Sequence, residues 1–396
     1  MSSRRFLFAC ACLGLLTFGI VFTTLGSVLP SIMERFGIDK AAAGSLFLLL
    51  SFGILAASLI FGPLVDRYGY KGILLAAMVV VAVGLEWIAF ASSLATLRIA
   101  VMMTGFAGGI INGGTNALVA DISGEDRAAK LNLLGAFFGV GAVGVPFVLG
   151  MLSDRYTQSA MLAGVGGVLL VPIFMILSAG FPAPKQAQGF PIAQAGKLLG
   201  DPMLLLMGVI LFFESGNEIT VGGWTSTFVT EELAAPARNA LLILSLYWTG
   251  MTVARFALGY ILQRASGMTV LFSCVAIAIV GALLMLTTHT LAVAAIGTFA
   301  LGVGFAAMFP TVLGFIGDRY TNLSGTAFSV AFAMALCGGM LLPYAAGVLG
   351  THYGLRNAFA IVPAALVIQA LLLGVLSRWR GRREEGGERR QVGAMT

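Results

Sequence analysis

Two acidic residues stand four positions apart in a strongly apolar part of the chain. Glu214 and Glu218 lie within the stretch 202–230 with Asn217 between them, and a helix would place all three on one face. An ionised side chain at the centre of a membrane-spanning helix costs about 2.5–3.5 kcal/mol, so such an acid suggests a function. Because burial and like charge each disfavour ionisation, we predict that one acid takes up and releases a proton while the other hydrogen-bonds solute hydroxyl groups. The alternative is a static anchor to a neighbouring helix.

Two asparagines and two tryptophans could also contact a solute. Asn112 and Asn116 are four residues apart, so one helix face would carry both amides. An amide both donates and accepts hydrogen bonds, which suits a ligand with many hydroxyl groups, although the pair could equally hold two helices together. Trp224 offers a flat apolar face for a sugar ring, or an anchor at the membrane interface. Trp248 is a further candidate for the lining of a cavity.

The remaining chemistry-bearing residues favour no enzyme. Arg255 is the one basic residue well inside an apolar stretch, and we expect it to tighten a gate through an ion pair rather than to touch the solute. The four cysteines and two histidines lack metal-ligand spacing, and no nucleotide-binding loop occurs. The sequence therefore disfavours an intramembrane enzyme and an ATP-driven pump, and we expect no metal or other cofactor.

Twelve apolar stretches must position these residues. Hydrophobic residues make up 59% of the 396 residues and charged residues 10%, whereas a soluble domain carries roughly 25% charged residues. A helix that crosses a hydrocarbon core of about 30 Å needs roughly 20 residues, and the stretches lack the alternation of barrel strands. The sequence predicts an all-α membrane protein with twelve transmembrane helices. Their expected spans are 6–30, 42–64, 71–91, 93–120, 131–150, 158–179, 202–230, 237–262, 269–288, 290–318, 323–348 and 354–378.

The chain divides into two similar halves. Four landmarks recur after 197 residues at equivalent ends of the predicted helices, which indicates two pseudo-symmetric six-helix bundles. The pairs are Gly62 with Gly259, Arg67 with Arg264, Gly105 with Gly302, and Asp121 with Asp318. We expect an N-terminal bundle over 1–180, a cytoplasmic linker over 181–200, a C-terminal bundle over 201–378 and a charged, disordered cytoplasmic tail over 379–396.

The basic residues indicate the orientation. Most of the 23 Lys and Arg residues fall in segments on the same side of the membrane as the two termini, which predicts that both termini are cytoplasmic. The net charge of +6 is then mostly a topology signal and gives little support to nucleic-acid binding. The expected partners are the lipid bilayer and a small solute.

The loop between the second and third predicted helices carries a family motif. Residues 62–71 read Gly-Pro-Leu-Val-Asp-Arg-Tyr-Gly-Tyr-Lys, which resembles the signature loop of the major facilitator superfamily, Gly-x-x-x-Asp-Arg-x-Gly-x-Lys. The resemblance implies the major facilitator fold, and it implies that Asp66, Arg67 and Lys71 form a gating latch that stabilises the outward-facing state. The alternative is a loop that only turns the chain and fixes its topology. Residues 259–267 repeat the loop with a glutamine in place of the acid, so we expect a weaker latch there.

Three further segments resemble the sugar-transporting branch that includes fucose permease and the bacterial glucose/mannose symporters. They are residues 108–117, 214–224 and 309–311, in the predicted helices four, seven and ten. Two acids of fucose permease, in its first and fourth helices, align here with Gly26 and Asn112. Any proton coupling would therefore have to lie elsewhere in the chain or be absent.

The resemblance implies a secondary active transporter that moves a small polar solute, a hexose, by alternating access with proton coupling. It is expected to work as a monomer in a cell membrane, a bacterial inner membrane. Sodium coupling stays open, because carboxylate and asparagine oxygens also ligate Na⁺. A drug or metabolite exporter stays open too, because the glycine-rich segment 139–150 partly matches the fifth helix of exporters.

Overall fold

The computed structural model describes residues 3–182 and 200–393, and this part of the chain is almost entirely helical. It contains 12 helices that are long and apolar enough to cross a membrane, as the sequence predicts. They are α1 (Arg4–Phe36), α2 (Lys40–Tyr68), α3 (Tyr70–Phe90), α4 (Leu94–Ile122), α5 (Ala129–Leu152), α6 (Gln158–Ser178), α7 (Pro202–Glu232), α8 (Ala237–Ile261), α9 (Gly267–Thr287), α10 (Leu291–Arg319), α11 (Thr326–Tyr353) and α12 (Leu355–Trp379).

Several helices extend past their apolar cores to polar caps. α1 continues to Phe36, although its predicted span is 6–30. α2 begins where the Asp39 carboxylate accepts a hydrogen bond from the Ala42 amide at 2.8 Å, which satisfies one of the free N–H groups of the first turn. Hydropathy marks only the part of a helix inside the hydrocarbon, so the predicted spans are shorter than the helices.

Three of the spanning helices are interrupted. α6 consists of Gln158–Val168 and Leu170–Ser178, and α10 consists of Leu291–Phe305 and Met308–Arg319. α12 begins with Leu355–Ala358 and resumes at Ile361. The sequence analysis treats each as one continuous span. The interruptions leave the number of membrane crossings unchanged.

Two segments, the tail and the linker, lie outside the predicted bundles. The last helix continues to Gly393, whereas the sequence analysis expects a disordered tail over 379–396. Residues 183–199, which form most of the predicted linker, lie outside the described part of the chain.

Glycine contacts repeat between the two halves. Gly105 of α4 packs directly against the backbone carbonyl of Leu50 in α2. Gly302 of α10 packs in the same way against the carbonyl of Tyr247 in α8, and both residues lie 197 positions after the first pair. A side chain at either glycine would collide with backbone. The halves therefore share one packing pattern, which agrees with the offset found in the sequence.

The halves meet where α1 crosses its equivalent, α7, and along two flanking helix pairs. α2 packs on α11, α5 on α8 and α1 on α7. Gly26 of α1 lies against the backbone of Gly222 and Gly223 in α7. Residues 26 and 223 are again 197 apart, so the axis that relates the halves passes close to this contact.

Ion pairs close one side of the molecule. We call the side that holds Arg4 and Trp379 the terminal side, and the opposite side the distal side. At the distal ends, Lys40 of α2 pairs with Glu231 of α7 at 2.9 Å, and each half supplies one partner. Such partly exposed pairs contribute about 0–1 kcal/mol each. Their position nonetheless shows that the halves are in contact there.

The halves part toward the terminal side. Among the described residues, the hydrogen bonds and ion pairs that join the halves lie on the distal side or near mid-depth. Gly62 and Gly259, near the terminal ends of α2 and α8, have no neighbour within 4 Å of the point where a side chain would start. A cleft of about 290 Å³ opens between α5 and α8 in the terminal half. The structure is thus closed distally and open toward the terminal side.

Candidate functional site

α7 is enclosed by other helices and buries its polar side chains. It packs against α1, α8, α11 and α12. Its first turn is capped by Asp201, whose carboxylate accepts a hydrogen bond from the Met203 amide at 2.8 Å. Farther along, the Thr220 hydroxyl donates to the Gly216 carbonyl at 2.7 Å and so has a partner within its own helix. Glu214 and Glu218, four residues apart on the same helix, instead lie within hydrogen-bonding reach of each other's carboxyl group.

The acid pair lies in the interior of the bundle. Glu214 is 0% exposed, Asn217 0% and Glu218 8%. Glu214 stands twelve residues into α7, which at about 1.5 Å per residue is roughly 18 Å from its terminal end. The carboxyl groups of Glu214 and Glu218 lie within hydrogen-bonding reach of each other, and a bond between them requires that one of the two is protonated. Neither side-chain polar atom of Asn217 has a hydrogen-bond partner among the described residues. Unpartnered buried polar groups are rare in proteins, so these atoms mark a candidate site for a proton, a solute or an ion.

Arg255 lies next to the acid pair without forming an ion pair. It acts electrostatically on both Glu214 and Glu218, yet in the described part of the chain no carboxylate lies within salt-bridge distance of it, and its Nε has no hydrogen-bond partner. Its guanidinium carbon stands 6.0 Å from the ring centre of Phe138 in α5. The ion pair expected from the sequence is therefore not made in this structure, because the side chain lies along the cleft toward α5. A gating role for Arg255 stays a prediction.

An aromatic wall adjoins the acids. The ring of Trp248 in α8 packs edge-on against Phe22 of α1 and Phe138 of α5, at centroid distances of 5.8 and 6.3 Å. The indole is buried and its Nε1–H has no partner among the described residues. The neighbouring Tyr247 directs its hydroxyl to the backbone carbonyl of Glu218 at 3.4 Å. The Trp248 ring also lies against Gly222 of α7, one turn beyond Glu218. Its role in contacting solute stays a prediction.

Trp224 lies away from the acids, on the distal side. Its indole N–H donates to the carbonyl of Pro343 in α11 at 3.0 Å, and its ring packs on Phe47 of α2. It stands ten residues beyond Glu214 on α7, roughly 15 Å along the helix at about 1.5 Å per residue. The structure therefore does not bring Trp224 together with the acid pair. Its ring contacts Phe47 of the first half and lies against Gly347 of the second.

Asn112 and Asn116 share one face of α4, as predicted. The Asn116 amide donates to the backbone carbonyl of Asn112 at 2.9 Å and to its side-chain oxygen at 3.2 Å. One turn earlier on the same face, Gly108 packs against Phe18 and Val21 of α1. The half-buried asparagines therefore lie along the face of α4 that contacts α1. Among the described residues no hydrogen bond joins them to the acids of α7.

Comparison with known proteins gives the family. A sequence model described as the Major Facilitator Superfamily matches residues 11–335 and 207–394. The chain belongs to the Major Facilitator Superfamily. It is 25% identical over 369 residues, covering 92% of this chain and 97% of the other, to an uncharacterized transporter, y4wD, of Sinorhizobium fredii. It is 24% identical over 373 residues, covering 85% and 87%, to the sodium-dependent glucose transporter 1A of Mus musculus.

Solved structures of transporters have the same fold. A mutant of the nucleoside transporter NupG superposes with a TM-score of 0.81 at 15% identity, covering 94% of this chain and 99% of the other. A bacterial homologue of the human lysosomal transporter Spinster, in an inward-facing and occupied conformation, superposes with a TM-score of 0.74 at 13% identity, covering 96% and 98%. The chain is a multi-pass membrane protein of a transporter family and is not an enzyme.

The signature loop of this major facilitator protein is not latched in the structure. Lys71 donates to the carbonyl of Leu177 at 2.8 Å, within the first half. Arg67 is exposed and its guanidinium lies over the ring of Tyr68. In the described part of the chain Asp66 forms no ion pair. The latch is expected to form in the opposite state, so its role stays a prediction.

Some site residues were not found from the sequence. Asn132 of α5 and Thr252 of α8 line the terminal cleft together with Arg255. The Thr311 hydroxyl of α10 is buried without a hydrogen-bond partner among the described residues. Thr252 lies four residues after Trp248, a spacing that could have predicted a shared face. Thr311 belongs to the segment 309–311 that resembles the sugar-transporting branch, although its hydroxyl was not chosen as a site group. Nothing in the sequence distinguishes Asn132 from residues that face lipid or pack in a core.

In the ranges 3–182 and 200–393, no three His, Cys, Asp or Glu side chains come together in an arrangement that could hold a metal ion. The chemistry available at the acid pair is proton uptake, hydrogen bonding and the electrostatic effect of Arg255.

Proposed function

We propose that this transporter carries a sugar, a hexose, by alternating access and that a proton moves with it. The acid pair supports this most directly, because Glu214 and Glu218 are buried and their carboxyl groups can hydrogen-bond to each other only when one of them is protonated. Two adjacent charged carboxylates are costly to bury, whereas a protonated acid is neutral. A group in this position can exchange a proton with whichever side of the membrane the cavity faces.

Rocking of the two halves would move the acids between the two sides. With both termini in the cytoplasm, which is part of the proposal, the terminal side faces inward and the structure is the inward-facing state. The contact of Gly26 with Gly222 and Gly223 lies where the halves would separate distally. Solute and proton would bind when the distal side is open, and leave after the terminal side opens. One chain contains both halves and the acid pair, which fits a monomer in a bacterial inner membrane.

A sugar is favoured by the groups that face the interior. The amides of Asn112 and Asn116 keep free donor and acceptor positions beyond their mutual hydrogen bond, and these suit sugar hydroxyl groups. Trp248 supplies an indole N–H without a partner in the described residues, next to an aromatic surface. The mouse relative that is named as a glucose transporter supports the same solute class.

Sodium coupling is the second candidate. The same mouse relative is named as sodium-dependent. Carboxylate oxygens of the acid pair, with the amide oxygen of Asn217, are ligands that a hard cation accepts. Proton and sodium coupling predict different results in one transport experiment.

The test is uptake of labelled glucose into proteoliposomes under an imposed proton gradient, a sodium gradient or neither. We expect accumulation under the proton gradient. Glu214→Gln or Glu218→Gln should reduce that accumulation at least about tenfold, because an amide cannot take up the proton. Exchange of glucose between the two sides should survive in at least one of these variants. Glu86→Gln, an acid in α3 outside the site, is the matched control and should keep gradient-driven uptake.

Other outcomes of the uptake experiment would select the second candidate or contradict the proposal. Accumulation under the sodium gradient alone would select the second candidate. No glucose uptake under either gradient, from protein that is folded and reconstituted, would contradict the sugar proposal. Full accumulation in both glutamine variants would show that the proton is carried elsewhere.

A further inference from the structure

The cleft between α5 and α8 has the form of a binding pocket. It measures about 290 Å³ and lies in the terminal half, where the two helices diverge. Its walls come from both halves of the protein, since α5 belongs to the first half and α8 to the second. The lining residues are Asn132, Leu133, Gly135, Ala136, Gly139, Thr252, Arg255 and Phe256. Gly135 has no neighbour within 4 Å of the point where a side chain would start, so the pocket is open there.

The cleft contains a charge without a counter-ion in contact. Arg255 is half-buried, its Nε is fully enclosed, and in the described part of the chain no acid reaches salt-bridge distance and no acceptor reaches this nitrogen. A guanidinium group stays charged at all physiological pH values and carries five donors in a planar fork. A partly desolvated, unpaired guanidinium that borders a cleft is a ready anion site.

The polar groups beside Arg255 suit a carboxylate that carries neighbouring hydroxyl groups. Asn132 adds an amide from α5, on the wall opposite Arg255. Thr252 adds a hydroxyl from α8, the helix that carries Arg255. The Thr252 hydroxyl donates to the Trp248 carbonyl at 2.8 Å, which leaves its oxygen as an acceptor for a solute hydroxyl. Phe138 offers a ring face beside the guanidinium. Planar bidentate pairing with a carboxylate is the strongest interaction this set can make.

The acid pair constrains which solute suits the cleft. The titratable groups around Arg255 are Glu214 and Glu218 from α7 and Tyr247 from α8. When both acids are neutral, Arg255 carries the one full charge of this group, and an anionic solute would neutralise it. Solute anion and protons would then enter the site together, which is the condition for symport.

We propose that the cleft at Arg255 binds the carboxylate of an acidic sugar, a hexuronate or an aldonate, as part of the transported solute. This rests on the proposed function and narrows its solute class from hexoses to sugar acids. The carboxylate pairs with the guanidinium, and Asn132 and Thr252 contact the adjoining hydroxyl groups. Arg255 is thereby a specificity-determining residue.

Binding to the purified transporter tests this without any gradient. Thermal stabilisation by glucuronate, gluconate and glucose gives three apparent affinities, because a ligand that binds the folded state raises its stability with concentration. We expect glucuronate to bind wild type at least about tenfold more tightly than glucose, since a charged hydrogen-bonded pair replaces a neutral contact. Arg255→Gln should weaken the binding of glucuronate about tenfold or more and leave the affinity for glucose unchanged. Arg255→Lys keeps the charge but not the planar fork of donors. Its affinity for glucuronate should lie between those of wild type and Arg255→Gln.

The controls separate this inference from the function on which it rests. Arg98→Gln removes an exposed arginine at the distal end of α4 and should bind all three sugars as wild type does. Glucose binding tighter than glucuronate binding in wild type, or equal glucuronate affinity in wild type and Arg255→Gln, would overturn the anion site. Stabilisation that depends on Arg255 and on phosphatidylglycerol, with none from sugar acids, would assign the cleft to a lipid headgroup instead. If glucuronate binds at Arg255 but no gradient drives uptake, the coupling proposal fails and the site stands.

Discussion

Asp201, before the first turn of α7, is held by several groups at once. Burial alone would raise the pKa of its carboxyl group, but hydrogen bonds from the Tyr320 hydroxyl and the Met203 amide outweigh that effect. Arg319, 3.9 Å away, adds an opposite charge. The pKa of Asp201 is therefore lowered from its ordinary value. These contacts join the start of α7 to the end of α10 within the second half.

We expect Asp201→Asn to lower the free energy of unfolding by about 0.5–1 kcal/mol, because asparagine can still cap the helix but lacks the charge that interacts with Arg319 and with the helix N-terminus. Because the pKa is lowered in the folded protein, the charged form contributes fully above the unfolded value of about 4 and ceases to contribute as pH falls through the folded value. Thermal unfolding from about pH 7 to about pH 3 should show the gap between wild type and variant closing at the acid end. Tyr353→Phe, at an exposed tyrosine, is the control. A gap that persists unchanged to the acid end would contradict the assignment.

Trp224 and Trp248 show what residue type alone does not reveal. Both are buried tryptophans in helices of the second half; Trp224 was selected for its flat face and Trp248 for the lining of a cavity. Trp248 packs on Gly222, one turn beyond Glu218, whereas the Trp224 indole is committed to Pro343 and Phe47. α7 is buried on nearly every face, so its hydrophobic pattern carries no information about which side faces the cavity. The acids themselves were predictable, because a charge in an apolar helix stands out in any direction.

At the scale of the helix, length was predicted and continuity was not, although the sequence carries a signal for it. The bilayer fixes the minimum length of each span, so twelve apolar stretches gave twelve helices. The interruption of α6 falls at Leu169, and that of α10 falls at Ala306 and Ala307. Pro172 follows the first and Pro310 the second by three residues, and a proline lacks the N–H that would bond to the carbonyl four residues earlier. Both prolines are therefore placed where they can interrupt a helix.

The crossing of α1 and α7 depends on the absence of a side chain at Gly26. A Cβ atom there would collide with the carbonyl of Gly222. Gly26→Ala should therefore push the two helices apart and destabilise the distally closed state by about 1–3 kcal/mol, the usual cost of overpacking. Since the two states of a transporter differ by a few kcal/mol, the population should shift toward the distally open state.

Labelling of a distal cysteine measures that shift. We would introduce Ala41→Cys into wild type and into the Gly26→Ala variant. The cysteine should react with a membrane-impermeant maleimide several-fold faster in the Gly26→Ala variant. Gly164→Ala in α6 is the matched control, because no neighbour lies within 4 Å of its added side chain. Equal labelling rates in the Gly26→Ala and Gly164→Ala backgrounds would show that this crossing does not limit distal opening.

At the scale of the whole molecule, the two-fold repeat was predictable and the conformational state was not. The offset of 197 residues relates contacts in the structure as it relates landmarks in the sequence. The state depends on a balance of small terms, such as the partly exposed pair of Lys40 with Glu231 and that of Arg238 with Asp154. Each contributes about 0–1 kcal/mol, and the same sequence must also stabilise the opposite state. One sequence therefore encodes both states, and no pattern in it selects the one observed.

Alternating access makes a direct prediction about the distal side. The Ala41 amide of α2 donates to the Thr351 hydroxyl of α11 at 2.9 Å, so these two positions touch across the halves. Ala41→Cys with Thr351→Cys should form a disulfide under mild oxidation, and the bond would hold the distal side shut. Transport across proteoliposomes should then stop, while solute still binds from the open terminal side, and a reductant should restore transport. Each single cysteine should leave transport unchanged after oxidation. If the cross-linked protein transports at the full rate, the distal side need not open, and rocking of the halves about the α1 and α7 crossing is not the mechanism.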